Sequence, residues 1–354
     1  MSRQLTIDNT VISDEAPCYV IAEIGHNHQG DVEKCGELFR RAKECGAHAV
    51  KLQKRDNRSL FTKAMYDQVY GSENAFAPTY GAHREFLEFD RAQYIALQQA
   101  AREIGITFFA TAFDQPSADF LADIDMPAYK LASGDLRNIP QLKHVAAIGK
   151  PMIISTGGGT LDDVRRAYDT IMPINRELAI LQCTASYPCE PDRLNLRVIE
   201  TYRREFPDVV IGLSSHDNGI AMPLIAYMLG ARIVEKHFTL NRAWKGTDHA
   251  FSLEPTGLRK LVRDLTRSRV ALGDGIKRAL PEEIPSITKM AKKLVAGRDL
   301  PAGQVLSTAD IAIKSPGDGL SPEHLEAVIG RKLTRPLGAD DPIAWDALSP
   351  STPA

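Results

Sequence analysis

The stretch "ARIVEKHFTL", residues 231–240, runs from the apolar pair Ile233–Val234 straight into Glu235, Lys236 and His237. Side chains of an extended strand alternate between its two faces, so Glu235 and His237 share one side and Lys236 takes the other. A core strand has no use for an acid and an imidazole at its end unless that end opens onto a site. Seven further short apolar runs rich in β-branched residues precede this one, at Tyr19–Ile24, Ala49–Gln53, Thr107–Thr111, Ala128–Leu131, Met152–Ser155, Ala179–Cys183 and Val209–Leu213. Helical patterns separate most of them. "VEKCGELFRRAKECGA" carries Leu38, Ala42 and Cys45 on one face, "RAQYIALQQAAREIGI" ends at Gly105, and "RLNLRVIETYRREFP" stops at Pro207.

Eight strands alternating with helices over roughly 260 residues is the pattern of a (β/α)8, or TIM, barrel. An open doubly wound sheet is the competing reading, but G-x-G-x-x-G is absent after the first strand. The segment Arg55–Phe89 is too long for a plain strand-to-helix connection and reads as a functional lid or an insertion. After Gly273 the texture changes. "GDGIKRALPEEIPS" is rich in Gly, Pro and charge, and beyond it "KLVAGRDL", "QVLS", "IAIKS" and "RKLTRPL" alternate with turn signals. The expected class is α/β, organised as a barrel over 1–275, a linker over 276–290, and a small domain of short strands with one short helix over 291–354.

Composition limits the function. The chain has 354 residues, 44% hydrophobic and 25% charged, with a formal net charge of −2. That is enough chain for a sizeable core and offers no global basic field for nucleic acid or an anionic membrane. No apolar run is long enough to cross a bilayer, and the polar start "MSRQLTIDNT" does not read as a signal peptide. Five cysteines without a C-x-x-C pair read as reduced thiols of a cytoplasmic protein.

Active sites of such barrels lie where the strands end. The rim carries Glu23 after strand one, Lys51 and Gln53 on strand two, Thr111 on three, Lys130 and then Ser133 on four, and Ser155 with "TGGG" on five. Tyr187 follows strand six, Ser214 and His216 end seven, and Glu235 and His237 end eight. Singly, each has an ordinary reading. A strand lysine can snorkel to solvent, and Ser or Thr at a strand end is usually a turn or cap residue. His48, His144 and His324 stay in that structural class. Sharing one rim, however, two lysines, several hydroxyls and a Gly-rich turn into a helix suit an anion such as phosphate or carboxylate. His216 and His237, on adjacent strands, suit one divalent ion with open positions for oxygen. Imidazole favours Zn, Fe, Cu or Ni, oxygen favours Mg or Mn, and spacing does not choose. Glu23, Glu235 and Asp248 add carboxylates for sugar hydroxyls or water.

"AEIGHNHQGD" (22–31), "KLQK" (51–54), "TYGAHREFLEF" (79–89), "YKLASGD" (129–135), "ISTGGG" (154–159), "QCTASYP" (182–188), "IGLSSHD" (211–217), "EKHFTL" (235–240) and "RAWKGTDHAFSLEP" (242–255) resemble the sialic acid synthase family. That family includes N-acetylneuraminate synthases and their legionaminate, pseudaminate and spore-coat polysaccharide relatives. The C-terminal segment resembles its antifreeze-like (SAF, β-clip) domain. The resemblance implies condensation of phosphoenolpyruvate with an open-chain N-acyl hexosamine, either N-acetylmannosamine or its 6-phosphate, with release of phosphate. Lys51, Thr111, Lys130, Ser133, Ser155 and Ser214 would hold phosphoenolpyruvate. His216 and His237 would ligate a divalent cation, Mn²⁺ ahead of Mg²⁺ or Co²⁺. Glu23, Gln53 and Glu235 would be catalytic, and Glu23, Tyr187, Asp248 and Lys314 would hold the sugar.

The resemblance also implies a domain-swapped homodimer. Two departures stand out: Ala185 where some bacterial relatives carry Asn, and Ser315 of "KSPGDG" where several carry an Arg that reaches the N-acyl group. A metal-dependent aldolase is one competing reading. A catalytically silent sugar-binding or scaffold protein is another, and it would be expected to lose Glu23, Lys51, His216 or His237, all of which are present.

Overall fold

The structure, a computed structural model, describes residues 3–350. The chain divides into two compact units, Met1–Gly273 and Asp274–Ala354. The first opens with a hairpin, β1 (Gln4–Ile7) and β2 (Thr10–Ser13). Then come β3 (Tyr19–Gly25), β4 (Ala49–Lys54), β5 (Thr107–Ala112), β6 (Tyr129–Leu131), β7 (Met152–Ser155), β8 (Leu178–Cys183), β9 (Val210–Ser215) and β10 (Ile233–His237). These eight are parallel and close into a barrel, β10 pairing with β3. The expected strands shift by one or two residues at their ends. The hairpin was not anticipated; its signal is the Asp8–Asn9 turn, both at positive φ (47° and 64°), between two alternating apolar runs.

The period of two along each strand explains the site. Inward positions are apolar first and polar last. Tyr19 and Ile21 precede Glu23, Ala49 precedes Lys51, Phe109 precedes Thr111, Ile153 precedes Ser155, and Ile233 precedes Glu235. The apolar members pack with Leu5, Ile7 and Ile12 of the hairpin into one buried cluster that fills the barrel. The polar members line a cavity above it. Gly212 lies inward on β9, where a Cβ would come within 2.5 Å of Leu181 and 2.6 Å of the Ile233 carbonyl. Outward positions such as Val20, Val50, Phe108 and Val234 pack against the helices in a larger apolar layer.

The helices carry their own punctuation. Asp31 caps Val32–Glu44, and Asp90 with Gln93 forms a capping box on Arg91–Ile104, which ends at left-handed Gly105. The insertion after β4 is ordered into three short helices, Asn57–Leu60, Lys63–Asp67 and Tyr80–Leu87. All five cysteines are free and buried. Among the described residues no helix is long and apolar enough to cross a membrane.

In the second unit β11 (Lys293–Ala296) pairs antiparallel with β12 (Ile311–Lys314) around a core that includes Leu294, Leu300, Leu333 and Ile343. "QVLS" and "RKLTRPL", read as strand pieces, make only isolated bridges, Val305 with Lys332, Leu333 with Leu348 and Leu337 with Leu300. Pro336 cannot donate to a ladder, and the turns leave too little straight chain. The stretch read as a plain linker contains a short helix, Ile284–Met290.

Candidate active site

The barrel mouth encloses a cavity of 630 Å³. Every candidate named on the barrel lines it: Glu23, Lys51, Gln53, Thr111, Lys130, Ser133, Ser155, Tyr187, Ser214, His216, Glu235, His237 and Asp248. Strand register brings them together, since Glu23 lies beside Lys51, Gln53 beside Thr111, and Thr111 beside Lys130. Lys314 belongs to the second unit, where it is exposed and pairs with Asp340.

The lysines are buried and paired. Lys51 Nζ lies 2.6 Å from Glu23 Oε2 and 3.7 Å from Glu235 Oε2, and donates to Thr111 Oγ1 at 2.8 Å. Lys130 Nζ donates to Ser155 Oγ at 2.6 Å and lies 3.9 Å from Glu235 Oε1. Ser214 donates to the same carboxylate at 2.9 Å. Burial raises the Glu235 carboxyl, and Lys130 and Lys51 more than offset it, holding it at about 2. Burial lowers Lys130, and Glu235 opposes that. The floor is therefore two ammonium groups against two carboxylates, an array that an incoming anion can re-pair. Gln53 Nε2 donates to Glu23 Oε1 at 2.8 Å. Gly25, at φ +55°, sits over that contact, and a Cβ there would be 3.1–3.2 Å from both partners.

The Gly-rich turn behaves differently from expectation. The helix it leads into, Leu161–Ile171, is closed by a capping box between Thr160 and Asp163, which engages the amides of those two residues. Ser133 Oγ accepts the Gly157 amide at 2.9 Å, which ties the turn to the loop after β6.

His216 and His237 have ring centroids 5.4 Å apart. His216 Nδ1 faces the Thr184 carbonyl at 3.1 Å; a carbonyl only accepts, so the proton is on Nδ1 and Nε2 keeps its lone pair. Burial lowers His216 to about 3, so its ring is neutral at physiological pH. His237 Nδ1 is buried without a hydrogen-bond partner and lies 3.9 Å from Asp248 Oδ2. The His216 Nε2 lone pair and the unpartnered His237 Nδ1 leave ring nitrogens open to a divalent ion. Among the described residues no cluster of three or more His, Cys, Asp or Glu is arranged to hold a metal. An ion held here would take two ligands from the chain and leave its other positions to water or substrate. Phe251 packs edge-on to both imidazoles, at 5.0 Å and 5.9 Å, and Tyr187 packs at a tilt of 43° against His216, ring centroids 4.0 Å apart.

Sequence reading missed Arg55, Asn74, Arg84 and Thr247, which also line the cavity. Arg84 lies inside the quoted "TYGAHREFLEF" and Arg55 follows "KLQK", so a signal was present, but the insertion's path was not.

The family described as "NeuB family" matches residues 38–277, and "SAF domain" matches 293–349. Human N-acetylneuraminate-9-phosphate synthase is 39% identical over 94% of this chain and 93% of its own. N,N'-diacetyllegionaminic acid synthase of Legionella pneumophila is 34% identical over 93% and 94%. Among solved structures, the N-acetylneuraminic acid synthetase of Leptospira borgpetersenii superposes with a TM-score of 0.71 at 31% identity, covering 81% of this chain and 96% of that one.

Proposed function

The chain belongs to the NeuB family, and on that premise we propose how its mouth works as a phosphoenolpyruvate-dependent sialic-acid-type synthase. C3 of phosphoenolpyruvate attacks the aldehyde carbon of an open-chain N-acyl hexosamine. Water adds at C2, and C–O cleavage releases phosphate and leaves a nine-carbon 2-keto sugar acid. The observation that carries this reading is the paired floor: Lys51 and Lys130, flanked by Thr111, Ser155 and Ser214, within 4 Å of Glu23 or Glu235.

In this reading Lys51, Lys130 and the hydroxyls of Thr111, Ser133, Ser155 and Ser214 take the phosphate and carboxylate of phosphoenolpyruvate. Charge-assisted contacts of this kind position a reactant with little further reorganisation. Re-pairing of Lys51 with the anion frees Glu23, oriented by Gln53, for a sugar hydroxyl. Glu235 faces the lysines and Ser214, where it can receive a proton from the water that adds at C2. Tyr187 and Asp248 bound the sugar side. His216 and His237 would hold a divalent ion, Mn²⁺ in our reading, which when bound supplies Lewis-acid polarisation of the aldehyde oxygen.

For the acceptor we favour the 6-phosphate. Carbon 6 of the hexosamine becomes carbon 9 of the product, and three relatives at 39–40% identity are named N-acetylneuraminate-9-phosphate synthase. We also propose a homodimer, because Ile276, Leu280, Ile284, Ile287 and Met290 are all at least half exposed along one short segment. Five free, buried thiols support a cytoplasmic location. The test of the synthase reading is phosphate release from phosphoenolpyruvate in the presence of Mn²⁺ and a panel of N-acyl hexosamines, free and 6-phosphorylated. Aldehyde-dependent release is expected. Turnover with pyruvate in place of phosphoenolpyruvate would make the protein an aldolase.

A further inference from the structure

The cavity has a second cationic wall, separate from the lysines of its floor. Arg55 follows β4 directly, Arg84 sits on the insertion helix Tyr80–Leu87, and both line the mouth. Between them stands His26, buried. Arg55 Nη1 is 3.1 Å from His26 Nε2, and Arg84 Nη1 is 3.1 Å from His26 Nδ1. A neutral imidazole has one acceptor nitrogen and one N–H, so it can accept from only one of the two guanidinium groups. An imidazolium would accept from neither, and burial together with the two arginines keeps the ring neutral. One arginine N–H is thus left without an acceptor, and Arg84 Nε is also buried without one.

No carboxylate resolves this. Among the described residues neither guanidinium lies within ion-pair distance of an acid. Glu88 Oε2 is taken by Lys54 at 3.1 Å and by the Arg55 amide at 3.2 Å, while its Oε1, 3.8 Å from His26 Nε2, is buried without a hydrogen-bond partner. The remaining contacts hold the arginines in place: Arg55 Nη2 donates to Gln53 Oε1 at 2.7 Å, its guanidinium lies 3.6 Å over Phe113, and Arg84 Nη2 donates to the Tyr80 hydroxyl at 3.0 Å. Asp248, 3.9 Å from His237, also lines the small recess shared by His26 and Arg84, which links this wall to the sugar side of the mouth. Two fixed guanidinium groups with surplus donors and no carboxylate in ion-pair contact match a tetrahedral dianion.

We propose that Arg55 and Arg84, spaced by His26, bind the terminal phosphate of the acceptor and so select a 6-phosphohexosamine over the free sugar. This rests on the phosphorylated-acceptor reading above. The experiment compares N-acetylmannosamine with its 6-phosphate, at saturating phosphoenolpyruvate and Mn²⁺, in wild type, Arg84→Ala, Arg84→Lys and Arg55→Met. Wild type should prefer the phosphate. Arg84→Ala should raise KM for the 6-phosphate about ten- to hundredfold, the range for one lost charge-assisted contact. Its KM for phosphoenolpyruvate should move less than threefold, and Arg84→Lys should recover part of the loss.

The outcomes separate the two claims. A wild type that turns over only the free sugar removes both the phosphorylated-acceptor reading and the arginine site. A wild type that prefers the phosphate, with Arg84→Ala and Arg55→Met losing both acceptors in parallel or keeping the preference, leaves the reading standing and overturns the arginine site. Loss in parallel is what a merely structural role for the cluster predicts. Arg84 is only partly buried, so its variants remain informative if Arg55→Met does not fold.

Discussion

Lys236 Nζ lies 2.8 Å from Asp217 Oδ1, and both side chains are all but sealed from solvent. Lys236 also donates to the Asp217 carbonyl, and Ser215 Oγ to the Asp217 carboxylate. Asp217 follows His216 and Lys236 precedes His237, so this network ties together the ends of β9 and β10 that carry the two imidazoles. Removing one partner strands a buried charge. Lys236→Met should lower stability by about 3–5 kcal/mol, and Lys236→Met with Asp217→Leu should cost less than the sum of the single changes. Urea denaturation of the four proteins checks this. A loss below about 1 kcal/mol for Lys236→Met would show that the pair contributes little.

The two imidazoles should be separable from the rest of the mouth. His216→Ala and His237→Ala each remove one of two protein ligands, so Mn²⁺ affinity measured by titration calorimetry should fall sharply while the fold is kept. EDTA should abolish turnover and Mn²⁺ restore it. Full activity in thoroughly chelated protein would remove the metal from the mechanism.

Lys130 donates to Ser155 and faces Glu235 in the floor of the cavity. Lys130→Ala should weaken phosphoenolpyruvate by about 1.5–3 kcal/mol, roughly ten- to hundredfold in KM, because a buried phosphate loses a charge-assisted contact. The sugar's KM should change far less. Steady-state kinetics with each substrate varied in turn decides it, and equal effects on both would count against the assignment.

Stability should fall as the medium is acidified through the histidine range. His28 Nδ1 accepts the Gly30 amide at 3.0 Å and His83 Nδ1 accepts the Phe76 amide at 3.1 Å, so each ring must stay neutral to keep its bond. Burial, then His26, pushes His28 down to about 3; burial, then Arg84, pushes His83 down to about 4. Below about pH 6.5 the unfolded chain takes up protons that the fold refuses. Each group should then remove about 1.4 kcal/mol per pH unit, a contribution fully present only above that range. Chemical denaturation at pH 7.5 and 5.5 should show a drop of roughly 3 kcal/mol from this pair. An unchanged midpoint would contradict it.

The exposed apolar segment 276–290 should be covered in solution. Sedimentation equilibrium of the full chain is expected to give a dimer, and Ile284→Asp with Ile287→Asp should shift it toward monomer by burying charge in an apolar contact. A monomeric wild type at micromolar concentration would remove the dimer.

Local chemistry was enough to read the barrel and most of its rim. Alternation along each strand is a property of the extended backbone, so Ile21 before Glu23, Ala49 before Lys51 and Ile233 before Glu235 already place apolar groups below and polar groups above on one face. The same period predicts that Lys236 turns away from Glu235 and His237, and it is found with Asp217. Helix ends were legible for a similar reason: Asp90 with Gln93, and Gly105, act over three or four residues.

Tertiary structure decided what depends on closure between distant segments. The pairing of Lys51 with Glu23 and Glu235 needs the register of β10, β3 and β4, set only when the barrel shuts. The two arginines on His26 need the insertion's third helix to fold back across β4, and no local pattern in residues 55–89 specifies where that helix lands. In the second unit, two of the four pieces that look like strands, "QVLS" and "RKLTRPL", pair only at single residues, because a partner, and not propensity, makes a strand. Periodicity and capping act within a few residues and can be read along the chain. Ion pairs across strands separated by 28 to 184 residues, as Glu23–Lys51 and Lys51–Glu235 are, exist only once the fold brings them together.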